Sequence, residues 1–265
     1  MARKQWISIA VFLALVLPLS WYGFLLRGSS PEDSGINPLG PLVAALIATA
    51  VTGQFKDYGK RIIRVRMAPS TYAIAIGLPL LLAVVAVVWG ALASSTPLPI
   101  TQAGRQASDF VDGFLIALLF VALGEEPGWR GFLFPKLSEW KGPVVAALLI
   151  CPIWAIWHYP LLGTEFSAAE IPPFLVSLVG ASFVLGWLTR RARGGVLPAM
   201  LAHAMTNGVG AAYLFRLFDG ETAITIRWIN AMLWLAAGVA AAIAMQHRQG
   251  LDGEIAGTMA APKAA

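Results

Sequence analysis

Two adjacent carboxylates, Glu125 and Glu126, open the motif Glu125-Glu126-Pro127-Gly128-Trp129-Arg130 inside an otherwise apolar run from Phe110 to Leu137. Ionisable side chains are expensive in a lipid environment and mark functional positions there. Two further polar sets interrupt apolar stretches, His158 and the pair His203 and Asn207, while the third histidine, His247, lies near the C-terminal end. Glu126 and Arg130 are four residues apart, as are His203 and Asn207, so on a helix each pair shares a face. A buried carboxylate beside a second one can serve as a general base near neutral pH, with Arg130 holding the other ionised. A histidine beside the base can orient and deprotonate a water. A histidine and asparagine pair can donate hydrogen bonds to the oxyanion of a tetrahedral intermediate. Together these residue types describe hydrolysis of an amide by activated water. Each set also has a purely structural reading: a Glu126 to Arg130 lock between helices, an interfacial His158 among Trp154, Trp157 and Tyr159, and interhelical glue from His203 and Asn207 worth on the order of 1 kcal/mol each.

The elements that carry these residues are expected to span a membrane. The 265 residues are 58% hydrophobic and only 12% charged, with a mean hydropathy of +0.71, outside the range of soluble domains. Apolar stretches long enough to cross a bilayer as helices fall at approximately 5–26, 39–55, 71–94, 110–137, 143–162, 171–189, 196–215 and 228–246. The expected fold is therefore an all-α integral membrane protein, a bundle of about eight transmembrane helices around a polar catalytic cavity. Residues 1–246 form a single polytopic domain with its motifs within 110–215, and 247–265 a disordered tail. The basic start followed by Trp6 to Leu26 resembles a signal peptide, but its length and the lack of a small-x-small site favour an uncleaved first span.

Lys and Arg collect on alternate loops: Arg3 and Lys4, then Lys56 to Arg66, then Lys136 and Lys141, then Arg190 to Arg193. The intervening loops carry Glu32 and Asp33, Arg105, Glu165 with Glu170, and the mixed set Arg216, Asp219, Glu221 and Arg227. This pattern fits an even number of spans with both termini cytoplasmic. The net charge of +5 is thereby topology, and argues against a nucleic-acid partner. Several of the ten tryptophans, Trp6, Trp21, Trp140, Trp187 and Trp228 among them, stand near span ends as interfacial anchors. The single cysteine, Cys151, excludes an internal disulfide and a cysteine metal cluster. With a rise of about 1.5 Å per residue, Glu125, His158 and His203 fall roughly 18, 22 and 15 Å from the basic ends of their spans, all near the middle third of the bilayer.

The ordered set Glu125-Glu126-x-x-x-Arg130, Trp154-x-x-x-His158 and His203-x-x-x-Asn207 resembles the CPBP family of intramembrane proteases, which includes type II CAAX prenyl endopeptidases and bacterial relatives linked to bacteriocin self-immunity. The family's second motif usually has phenylalanine where this chain has Trp154, a replacement that keeps an aromatic wall. The resemblance implies that Glu125 and His158 activate the hydrolytic water, that His203 and Asn207 form the oxyanion site, and that Glu126 and Arg130 support the base. It implies a membrane-associated or lipidated substrate; the family has often been labelled as metalloproteases, and the residues of this chain favour the metal-free mechanism, with no cofactor, over a zinc one. A zinc version would draw on His158, His203 and a glutamate, but the chain has no His-Glu-x-x-His helix and Asn207 is a poor zinc ligand. Other function classes are a proton-coupled transporter using the same residues as a relay, which would be expected to show related halves, and a non-catalytic scaffold that binds a membrane protein. High alanine and glycine content is associated with a bacterial plasma membrane.

Overall fold

The computed structural model describes residues 3–27 and 35–260, the side chains of Arg27 and of 248–260 excepted. No strand occurs among the described residues, which hold one isolated bridge between Leu162 and Phe166. The chain folds as α1 (Arg3–Arg27), α2 (Gly40–Thr52), α3 (Phe55–Ile62), α4 (Pro69–Ala93), α5 (Ile100–Arg105), α6 (Ala107–Lys141), α7 (Pro143–Trp157), α8 (Ile171–Arg191), α9 (Leu197–Met205) and α10 (Gly220–Ala260). Pro41, Pro69, Pro143, Pro172 and Pro198 each sit in the first turn of a helix, where the missing N–H costs nothing and the fixed φ favours helix entry.

The all-α membrane architecture expected from composition is present. Among the described residues, five helices are long and apolar enough to cross a bilayer: α1, α4, α6, α8 and Gly220–His247 of α10. The other three expected spans, 39–55, 143–162 and 196–215, form the shorter helices α2, α7 and α9. Their ends have local causes. Gly53 takes a left-handed φ of 68° that closes α2, and Pro160 follows α7 in a short 3-10 turn, Tyr159–Leu161. A π-helical turn at Thr206–Ala211 extends α9 before the chain breaks at Tyr213, which has a φ of −125° and ψ of −83°. At 15 residues, α7 is about 22 Å long, short of a hydrocarbon core of about 30 Å. The stretch 247–265, expected as a disordered tail, is backbone-helical to Ala260 as the continuation of α10, and residues 261–265 lie outside the described part.

Contacts between the described residues nevertheless gather the helix ends at two ends of the bundle. At one end Gln5 bonds Glu139, Lys136 donates to Gln54 at 2.5 Å, the Val196 amide donates to the Arg61 carbonyl at 3.3 Å, and Trp6 meets Trp140 edge-on at 5.0 Å. All four basic segments therefore share one end. At the other end Thr96 bonds Thr222 at 2.9 Å and Glu170 pairs with Arg227 at 2.7 Å. Side chains such as Leu81, Trp89, Leu119 and Phe120 face outward and exposed, as lipid contact requires.

The main core runs through the centre, where Phe12, Trp129, Phe132, Ile150, Trp154, Trp157, Leu185 and Trp234 are buried together. Helix α8 packs along α10, and α1 along α2. The start of α2 lies directly on the glutamate turn of α6. A Cβ at Gly124 would fall on the Pro38 carbonyl, and one at Gly128 would come within 2.5 Å of the Pro41 oxygen. Glycines four apart allow this backbone approach, as in close helix pairs in membranes.

Candidate active site

The motif that opens with Glu125 sits where α6 leaves regular α-helical geometry. Four α-helical residues, Leu123–Glu126, lie between π-helical turns at Ala117–Ala122 and Pro127–Leu133. Pro127 has no N–H for the regular ladder, which favours a widened turn there. The effect is to turn Glu125, Glu126 and Arg130 inward, where they are 1%, 0% and 1% exposed. His158, just past the end of α7, and His203 on α9 are each 8% exposed. Burial of so many polar groups is tolerated only if they satisfy one another.

They largely do. Glu126 Oε1 accepts from Arg130 Nη1 at 3.0 Å and from His203 Nδ1 at 2.8 Å. Glu125 Oε2 accepts from the indole Nε1 of Trp154 at 2.7 Å, and its Oε1 lies 4.0 Å from His203 Nε2. His158 Nδ1 lies 2.7 Å from the Trp154 carbonyl. A carbonyl can only accept, so Nδ1 carries the hydrogen, and in the neutral ring Nε2 is the free nitrogen. The Arg130 guanidinium lies 4.2 Å from the Trp154 ring centroid, and the two histidine rings contact the same indole at 5.5 and 5.8 Å. Beyond His158 an aromatic wall continues through Trp157 at 4.9 Å and Phe174 at 5.1 Å.

Five of the six residues singled out from the sequence thus converge: Glu125, Glu126, Arg130, His158 and His203. Their pairing differs from what spacing alone suggests. His203 bonds Glu126 rather than working only beside Asn207, and His158 meets Glu125 through Trp154. Asn207 is half-buried in the π-helical turn after α9. Among the described residues no hydrogen bond joins its carboxamide to the other five, and its backbone carbonyl accepts from Ala212 at 2.8 Å. Glu126 Oε2 and Arg130 Nη2 are buried without hydrogen-bond partners among the described residues, so the ion pair has polar capacity to spare. A cavity of about 860 Å³ lies at the end of the bundle opposite the basic loops, lined by Ser167, Glu170, Phe215, Arg216, Asp219 and Arg227 among others.

Sequence reasoning missed two features. Trp154 was legible only as an aromatic wall, although a buried tryptophan usually finds a partner for its indole N–H, and that was the available signal. The loop after His158 is also tied down: Ser167 gives both its amide (2.9 Å) and hydroxyl (2.7 Å) to Glu170, which pairs with Arg227. Partial burial works against the charge of Glu170, but the Ser167 and Arg227 donors outweigh it and hold this carboxyl below its ordinary value. The Ser-x-x-Glu spacing before Ile171 is a capping-box signature. Among the described residues no three His, Cys, Asp or Glu side chains stand together as metal ligands, and His203 Nδ1 bonds Glu126.

Residues 107–209 match the family model described as Rce1-like, type II CAAX prenyl endopeptidase Rce1-like. Over 110 residues, 38% of the chain, the sequence is 29% identical to a protein named CAAX prenyl protease 2 from Methanococcus maripaludis, and the matched stretch spans 40% of that relative's length. Glu125, Trp154, His158, His203 and Asn207 all fall within 107–209, and over that stretch the chain is similar to the Rce1-like type II CAAX prenyl endopeptidases, the family its three motifs resemble.

Proposed function

We propose that this protein is an intramembrane endopeptidase that hydrolyses a peptide bond of a membrane-associated, prenylated substrate by glutamate-activated water. The observation that carries the reading is the Glu125 carboxylate: buried, held on one oxygen by Trp154, and with its other oxygen facing His203 at 4.0 Å. Such a base accepts a proton from water at Oε1, and the hydroxide attacks the scissile carbonyl carbon. The negative charge that develops on the carbonyl oxygen is met by donors from the His203 and Asn207 side. Collapse of the intermediate breaks the C–N bond, and the proton on Glu125 passes to the departing amine, restoring the carboxylate. His158, with Nε2 free to accept, orients the water. Glu126 and Arg130 anchor His203. The unpartnered Glu126 Oε2 and Arg130 Nη2 weigh against a closed structural lock. A prenylated substrate is favoured by the name of the archaeal relative, and both termini are placed with the basic loops on the cytoplasmic side by the charge rule.

Purified protein in lipid nanodiscs is incubated with a farnesylated peptide ending in a CAAX sequence and with its unprenylated counterpart, and the cleaved tripeptide is quantified by mass spectrometry. Glu125→Gln is expected to lower kcat about a thousand-fold with unchanged insertion and melting. Full activity in that variant refutes the mechanism, and equal cleavage of both peptides refutes the prenyl specificity. Activity lost to a chelator and restored by zinc would replace the metal-free chemistry with the zinc version.

A further inference from the structure

Four of the five charged or ionisable groups of the cluster meet at one residue, Trp154. Its indole N–H donates to Glu125 Oε2 at 2.7 Å, its carbonyl holds His158 Nδ1 at 2.7 Å, its face carries the Arg130 guanidinium at 4.2 Å, and His203 packs against its ring at 5.8 Å. The side chain is 4% exposed. Arg130 on its face and two imidazoles in ring contact leave the indole little rotational freedom, so the direction of its N–H is set before any substrate arrives. Among the described residues it is the hydrogen-bond donor to the Glu125 carboxylate: Arg130 Nη1 and His203 Nδ1 bond Glu126 instead, and His203 Nε2 stands 4.0 Å from Glu125 Oε1. A carboxylate held on Oε2 alone presents Oε1 in a fixed direction. The same residue also fixes the tautomer of His158.

We propose that Trp154 is the positioning residue of this site: its N–H orients Glu125 so that Oε1 is the proton acceptor, while its carbonyl presents His158 with Nε2 free. The assignment rests on the endopeptidase reading for its kinetic consequence, and on geometry alone for the hydrogen bond. An aromatic ring without a donor fills the same wall yet leaves Glu125 Oε2 unpartnered in a buried site, where loss of a hydrogen bond to a charged group corresponds to about a ten- to hundred-fold effect.

Two replacements separate the donor from the ring. Trp154→Phe removes the N–H and some volume; Trp154→3-benzothienylalanine, incorporated as a noncoded residue, replaces N–H by sulfur and keeps the shape. Both are assayed in nanodiscs with the farnesylated peptide, and the Glu125 carboxylate stretch, identified as the infrared band that Glu125→Gln removes, is recorded for each. The expected result is a kcat lowered about ten- to hundred-fold in both variants, an unchanged KM, and a Glu125 band shifted equally in both. A benzothienylalanine variant with wild-type kcat and an unshifted band overturns the proposal, as does a loss confined to Trp154→Phe, which would mean that the ring only fills space. If the wild-type protein cleaves no peptide, the endopeptidase reading falls, and the infrared band still decides whether the indole holds Glu125.

Discussion

Glu126 is the electrostatic keystone of the cluster, and Glu126→Gln tests that role. The substitution keeps the side chain's shape and leaves an oxygen able to accept, but removes the negative charge that Arg130 Nη1 meets at 3.0 Å and His203 Nδ1 at 2.8 Å. At 3.0 Å and an effective dielectric constant of about 20, the Glu126 and Arg130 charges attract by about 5 kcal/mol. Desolvation offsets part of this in the native protein. In the variant, however, the 1%-exposed Arg130 keeps its desolvation cost with no countercharge bonded to it. Breaking a buried pair from one side costs about 3–5 kcal/mol, and that is the expected loss. Removing both charges in Glu126→Gln/Arg130→Met leaves no stranded ion, so the double variant should be more stable than the single one. Unfolding in mixed detergent micelles, followed by tryptophan fluorescence, measures all three proteins. A single variant within about 1 kcal/mol of wild type, or a double variant less stable than the single, would refute the reasoning. Glu125→Gln removes no bonded countercharge, so its stability should stay at the wild-type value while that of Glu126→Gln falls.

Gly128→Ala places a methyl group within 2.5 Å of the Pro41 carbonyl oxygen, which forces α2 away from the glutamate turn. A destabilisation of about 1–3 kcal/mol is expected, read as a lower melting temperature in detergent, and wild-type melting would contradict the packing described. Glu170 tests the tie between the post-His158 loop and α10. Its carboxyl is held below the ordinary value of 4.5, so the folded state gains from it above that pH and loses the gain as pH falls through the lowered value. The stability difference between wild type and Glu170→Gln should therefore be constant above about pH 5 and shrink on acidification. A difference that grows toward low pH would reverse the assigned sign.

What could be read from the sequence was what local spacing controls. The apolar runs locate the helices, the four-residue interval pairs Glu126 with Arg130, and the alternating basic loops foresee that residues as distant as Gln5, Arg61 and Glu139 gather at one end. Span length was less legible, because α2 and α7 are ended by the single residues Gly53 and Pro160 inside or beside runs that remain apolar. Least legible was the choice of partner across helices. His203 and Asn207 share an interval that on a regular helix stacks them, yet Asn207 lies in the π-helical turn Thr206–Ala211, and among the described residues His203 bonds Glu126 across helices rather than the Asn207 carboxamide. An ionised carboxylate within reach is also the stronger acceptor, and His203 turns to Glu126. The same logic divides the two glutamates. They are adjacent, so on a helix they point about 100° apart, one toward Arg130 and the α9 histidine, the other toward the α7 indole. Their unequal surroundings follow from that angle: Glu126 takes the Arg130 guanidinium and the His203 Nδ1 donor, which leaves Glu125, the proposed base, without a bonded cation.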